Sequence, residues 1–437
     1  MPFQRRGHAF ICLAIKTQIK LSRRWVIARI VGSLLGIVVC LLAIVYSAQF
    51  GLSRLLSRYA VLTRSIPAAV EAVQLTPTDA DAHRALANVF RDVQMYREAS
   101  RQLEIAASLR PTDDYLWLEL GTLRDELSDS EGALQAFDQA VAQAPFYAHT
   151  RWQRANLRLR MGRYDEAFAE LREAARSNRS FLPSLIDLAW SLSKEDANVA
   201  EQLAGIESPD SRVAFARFLA RKGKGKETVE QFRLAATSFS DENKAELVRE
   251  LISARAYREA FDIWSGSAAG TTNNVEIFDG GFEGTIRFGT TEFGWNVSRE
   301  QPKVEASLDT SDKDSGSKSL RIAFDGDSTS SAAIVSQTII VKPLQTYRIN
   351  FAVKAKDIVS GGTPIMRIVD ARTGVTLGSS INFPQNSGWQ KLSVDFTTPK
   401  ESDAVVLKLV RNECQSAPCP IFGVIWLDSV SIEEAKQ

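Results

Sequence analysis

Histidine is almost absent from this chain. Three occur in 437 residues, His8, His83 and His149. They lie far apart and leave little room for a His-based zinc site or a His general base. Cysteine is scarce, with four, so the chain is no small disulfide scaffold. Neither sign of charge is in surplus. With 53 Lys and Arg against 52 Asp and Glu, the basic excess of a dedicated nucleic-acid binder is missing. The ordinary 45% apolar and 24% charged content excludes collagen and wholesale disorder. Catalytic signatures are missing too: there is no P-loop, no GxSxG elbow and no HExxH. Lys222-Gly223-Lys224-Gly225-Lys226 falls between two predicted helices and reads as a basic turn. No two carboxylates are marked out as a glycosidase pair. The chain is expected not to be an enzyme. At ~150 residues per domain, its length allows two to three domains.

Acidic residues are missing from the N-terminal stretch, where the first is Glu71. Before it stand Arg5, Arg6, Lys16, Lys20, Arg23, Arg24 and Arg29, then an uncharged run from Ile30 to Ser53. That run is long enough to cross a hydrocarbon core, which takes about 20 apolar residues. Only Arg54, Arg58 and Arg64 follow closely. The imbalance predicts residues 1–29 in the cytoplasm, a transmembrane helix over 30–53 and the rest outside. A cleaved signal peptide is the competing reading, but its apolar core is shorter (~7–15 residues) and Tyr46-Ser47-Ala48 is a poor cleavage site. Cys414 and Cys419 stand five apart in NECQSAPCP. In an exported, oxidising loop they can close a disulfide ring, with free thiols as the other state.

Pro77, Pro111 and Pro145 are spaced by 34 and 34. The intervals repeat themselves. The first, from Ala80, has Leu86, Ala87, Phe90, Ala99, Leu103 and Ala106; the second, from Asp114, has Trp117, Leu120, Gly121, Ala133, Phe137 and Ala140. A third from Ala148 keeps Ala155, Ala167, Leu171 and Ala174, and MYREA, GRYDEA and AYREA echo one another. Small residues let two helices approach, large ones fill the gap to the next pair, and proline ends the second helix. This pattern resembles the tetratricopeptide family. It continues less regularly through about 182–205, 209–239 and 241–266, giving helical repeats over 54–266. Residues Pro67 to Pro77 read as a lone second helix joining the anchor to the array. Such an array forms a solenoid whose groove takes protein partners. Arg151, Arg154 and Arg158 share one helix face and are candidates for gripping an acidic partner segment, against the plainer reading of a solvated face.

Residues 267–274 are a small polar linker, and from 275 the period changes. Short alternating runs such as KSLRIAF, QTYRINFAVKA, GWQKLSVDFTT and VIWLDSVSI predict an all-β sandwich over 275–437. VEIFDGGFEG, DSGSKSLRI, GWQKLSVDFTTP and WLDSVSI resemble the jelly-roll carbohydrate-binding modules of bacterial polysaccharide-active proteins. The resemblance implies a structural calcium held by Asp279, Glu283 and Asp428; the alternative is an acidic turn without an ion. It also implies a sugar-binding face. Sugar binding takes aromatic faces that stack on the rings, with hydrogen-bonding side chains around them. The candidates are Trp295, Trp389 and Trp426, with Tyr347 and Arg367 on middle strands that could form one concave face. Core packing is the alternative for each, Trp295 being the one expected to be exposed. The sequence therefore predicts a multidomain protein: one transmembrane helix, an all-α tetratricopeptide-type solenoid and an all-β jelly-roll sandwich. The function expected is a scaffold at the bacterial inner membrane with periplasmic or extracellular domains, binding protein through the repeats and polysaccharide through the sandwich, without nucleic acid. A purely protein–protein adaptor is the alternative.

Overall fold

The computed structural model describes residues 23–266, 275–284, 287–288, 292–298, 303–327, 332–414 and 419–435. The expected linker 267–274 and most of the basic N-terminal segment lie outside them. Packing divides the chain into two compact units, Met1–Arg179 and Ser180–Gln437.

The first unit opens with α1 (Arg23–Thr63), 41 residues long and so about 60 Å from end to end. Within it, Arg29–Thr63 is long and apolar enough to cross a membrane, and its apolar window is unburied. The helix does not stop at Ser53. Its last turns pack on α2 (Ile66–Leu75): the Ser53 hydroxyl donates to the Ala72 carbonyl at 2.9 Å and meets the Thr76 hydroxyl at 2.7 Å. Ala60, Ala68, Ala69, Leu86 and Val89 are buried in one cluster there. The second helix expected to stand alone therefore has a partner, the tail of the apolar helix itself. Arg64 makes the reversal at φ 54°, and Ser65 caps α2 ahead of Pro67.

Three helix pairs follow: α3 (Ala80–Asp92) with α4 (Tyr96–Leu109), α5 (Asp114–Glu126) with α6 (Ser130–Gln143), and α7 (Ala148–Arg160) with α8 (Tyr164–Ser177). Asp79 and Asp113 cap the first helices, accepting from the amides of Asp81 and Tyr115. Gly121 is required by packing, since a Cβ there would stand 2.7 Å from the Phe137 ring.

The second unit begins with α9 (Leu182–Leu192) and the short α10 (Ala197–Ala204), closed by Gly205 at φ 64°. Then come α11 (Pro209–Arg221), α12 (Gly225–Leu234), α13 (Asp241–Ser253) and α14 (Tyr257–Ser265). Among the described residues, eleven strands form two sheets. They are β1 (Arg287–Phe288), β2 (Asn296–Val297), β3 (Val304–Asp309), β4 (Ser319–Asp327), β5 (Val335–Ile340), β6 (Thr346–Ser360), β7 (Pro364–Asp370), β8 (Thr376–Ser379), β9 (Ser387–Thr397), β10 (Ala404–Arg411) and β11 (Pro420–Glu434). One sheet runs β1-β2-β5-β10-β7-β8, the other β3-β4-β11-β6-β9. Alternate residues such as Ile322, Ile349, Phe351, Met366, Leu407 and Leu427 fill the space between them.

Within this unit the last helices pack directly on the sandwich. Phe293 and Ile340 join a cluster with Leu247, Leu251, Ala260 and Ile263. The Tyr257 hydroxyl donates to the Ala371 carbonyl at 2.7 Å.

Candidate functional site

Three of the four aromatic candidates are buried. Trp295, expected to be exposed, is 6% exposed; it packs on Phe282 and donates its indole N–H to the Asp279 carbonyl at 2.9 Å. The loop-like string FGWNV hides this because the partner carbonyl lies sixteen residues upstream. Tyr347 is fully buried in the core, and its hydroxyl accepts from the Lys342 amide. Burial pushes that hydroxyl's pKa up. Tyr347 and Arg367 were expected on one concave face; they stand in different sheets.

Trp426 and Trp389 point away from the core, and the loop after β3 caps both. The Trp426 indole donates to Asp309 Oδ2 at 2.8 Å, and that of Trp389 to Asp312 Oδ1 at 3.2 Å. Lys354 Nζ sits 5.4 Å from the Trp426 ring centroid and donates to Asp312. Hydrogen bonds from Ser311 and then Trp426 hold the Asp309 carboxyl down at about 2. These tryptophans latch a loop, and Trp426 is left only 8% exposed.

The three calcium candidates each accept hydrogen bonds from the chain itself. Asp279 accepts from the amides of Glu283 and Gly284. Glu283 accepts from the amide and hydroxyl of Ser317, which hold its carboxyl below the ordinary range. Asp428, fully buried, accepts from the amides of Asp314, Ser315 and Ser429. Glu283 and Asp428 thus both reach the short stretch 314–317. Among the described residues no three His, Cys, Asp or Glu side chains could together hold a metal ion.

Arg367 stands in a polar, half-buried row. The register places Asn296, Ser336, Lys408, Arg367 and Ser379 side by side across the six-stranded sheet. Their neighbours Val335, Met366, Ile368, Leu407 and Leu409 point into the core, so the row faces outward. No aromatic side chain stands in it.

On the first unit, the arginine face is paired rather than free. Arg154, 9% exposed, donates to Asp138 at 2.8 Å and Glu170 at 2.6 Å. Arg151 reaches Glu170 at 3.4 Å and the Pro145 carbonyl at 2.6 Å. Arg158 lies within 4 Å of Asp138, Glu166 and Glu170. The acids come from α6 and α8, so the stripe stitches neighbouring helices together. Cys414 and Cys419 are joined by a disulfide with Cα atoms 5.9 Å apart.

Comparison with known proteins fits this architecture. A family model described as a carbohydrate binding domain matches residues 275–413, the greater part of the sandwich. Protein FlbA of Caulobacter vibrioides is 31% identical over 101 residues, which is 23% of this chain and 17% of that protein. The chain thus spans under a fifth of that relative. Among solved structures, PilF of Pseudomonas aeruginosa is 19% identical, covering 48% of this chain and 97% of its own, at a TM-score of 0.32. YrrB, a TPR protein with an unusual peptide-binding site, is 20% identical over 36% of this chain and 84% of its own, at 0.30. MamA from Desulfovibrio magneticus is 15% identical over 35% and 90%, at 0.31. Likenesses this low carry no functional inference. The chain therefore combines an apolar N-terminal helix, tetratricopeptide-like repeats and a sandwich of carbohydrate-binding type. Neither of these folds is typically catalytic.

Proposed function

We propose that this chain is a non-enzymatic envelope scaffold, anchored in the bacterial inner membrane by α1, that couples a protein partner to a polysaccharide being assembled or exported. The N-terminus lies in the cytoplasm, and the repeats and sandwich lie on the other side. One observation carries the reading: a two-sheet sandwich matching a carbohydrate binding domain follows, in one chain, an apolar helix and a helical repeat array. The surplus of Lys and Arg before α1's apolar run supports the orientation. The Cys414–Cys419 disulfide supports an oxidising compartment. Affinity electrophoresis of the detergent-solubilised chain through gels containing single polysaccharides tests it. Retardation by at least one glycan is expected; migration unchanged by every glycan counts against it.

A second reading has its own support. Among the described residues, three of the four aromatic candidates, Trp295, Trp426 and Tyr347, are buried, and the fourth, Trp389, is half-buried and bonded to Asp312. A sandwich serving only as a structural cap would make the chain a protein–protein adaptor. Proteins would then co-purify with the repeats while every polysaccharide left the chain's mobility alone.

A further inference from the structure

A cluster of aromatic rings stands where α14 meets the sandwich. A hollow of about 460 Å³ opens there between α14, the segment 275–279 and the end of β5, a volume suited to a small ligand. Its walls carry Phe278 and Trp264, with ring centroids 5.1 Å apart and planes at 82°, backed by Phe293 and Phe261. Phe278 is 54% exposed. Its position is fixed by an unusual contact. The buried Gln337 side chain accepts from the Phe278 amide at 3.1 Å and donates to the Phe278 carbonyl at 2.8 Å, as a neighbouring strand would. The ring is held out to solvent on a pinned backbone, so ordering it adds little entropy cost on binding.

Polar groups of both signs stand around these rings. Asp262 and Arg258 come from α14, Glu276 from the strand side and Lys342 from the end of β5. Lys342 is already paired with Glu434 at 2.7 Å. The Asp262 carboxylate makes no hydrogen bond or ion pair among the described residues. It is half-buried, and that burial pushes its carboxyl up despite Arg258 nearby. An unengaged carboxylate in an aromatic hollow is the kind of group that binding sites keep and cores do not.

We propose that this hollow is the glycan site and that it takes a neutral sugar unit, the apolar ring face stacking on Phe278 or Trp264 and the hydroxyls bonding Asp262 and Arg258. The proposal rests on the glycan-binding reading above. The rim argues against an acidic sugar: Asp262, Glu276 and Asp279 outnumber Arg258 and Lys342, and Lys342 is already paired with Glu434. A sugar hydroxyl both donates and accepts, so it satisfies Asp262 and Arg258 together.

The test uses the full chain in detergent. It is run through gels holding neutral polymers (dextran, laminarin, mannan) or acidic ones (alginate, polygalacturonate), alongside Asp262→Asn and Phe278→Ala. Asp262→Asn keeps the shape, and Phe278 is a surface ring, so circular dichroism and melting of both should match the wild type. The expected result is retardation of the wild type by a neutral polymer, with each substitution weakening it about tenfold or more, the loss of about 1.4 kcal/mol. Equal retardation of wild type and both variants would overturn this site and leave glycan binding standing. Retardation by acidic polymers alone, lost in Arg367→Ala, would overturn it in favour of the polar sheet row. Retardation by nothing would remove both the site and the reading beneath it.

Discussion

The helical array and the sandwich store their information differently. In the array, each residue's neighbours lie within about one repeat. Phe137 fills the space left by Gly121, and Asp79 caps the helix it opens. A deletion of structure there is felt locally. In the sandwich, a residue's neighbours come from anywhere in the domain. Trp426 finds Asp309, 117 residues earlier, and Asp428 finds Asp314, 114 earlier. Local sequence therefore decides the array, whereas register decides the sandwich.

The largest effect that would sharpen this contrast is in the array. Phe137→Ala removes a buried ring and should cost about 4 kcal/mol. Hydrogen exchange should show opening confined to α5, α6 and their adjoining helices, with the strands unchanged; opening that extends through the sandwich would break the contrast. Gly423→Ala is the converse. Gly423 has φ 108°, and a Cβ there would meet the Asp357 carbonyl oxygen at 2.4 Å, so about 3 kcal/mol is expected. The loss should appear in β6 and β11 together, strands far apart in sequence, and should leave α3 to α8 protected. Denaturant melts with both probes read the two cases.

Arg154→Met should cost less, about 2 kcal/mol, by leaving Glu170 without its closest partner. Adding Glu170→Gln should recover part of that in a double-mutant cycle; strict additivity would mean the arginine face is not a structural stitch. The smallest effect concerns the loop latch. The Asp309 carboxyl is held at about 2 against an ordinary 3.8. A depressed carboxyl stabilises the latch above its unfolded value, and that contribution is lost as pH falls through the folded one. The Trp426 indole N–H resonance should be steady above about pH 4 and move between about pH 4 and 2. In Asp309→Asn that movement should vanish.

The same contrast explains what was readable from sequence. The 34-residue period located α3 to α8, and the weaker echoes located α9 to α14, because helix pairs obey local rules. That α1 continues past Ser53 to partner α2 was not readable, since an apolar run does not announce where its helix ends. The strands were readable from alternation. Their exposed faces were not: Trp295 looks like a loop residue until the Asp279 carbonyl is placed beside it. The arginine stripe was visible on α7, but its acids, Asp138 and Glu170, belong to α6 and α8. Phe278, Trp264 and Asp262 do not read as one site in the sequence, because the hollow joins a helix to a segment on the far side of the linker. A glutamine pinned to a backbone it does not follow in sequence, Gln337 on Phe278, leaves no local trace either.

The most direct test of the central claim is hydrogen exchange of the full chain with and without a saturating neutral polysaccharide. Protection should appear in α14, in 275–279 and at the end of β5, and α3 to α8 should exchange as before. Protection confined to α3–α8, or none anywhere under a glycan known to bind, would contradict it.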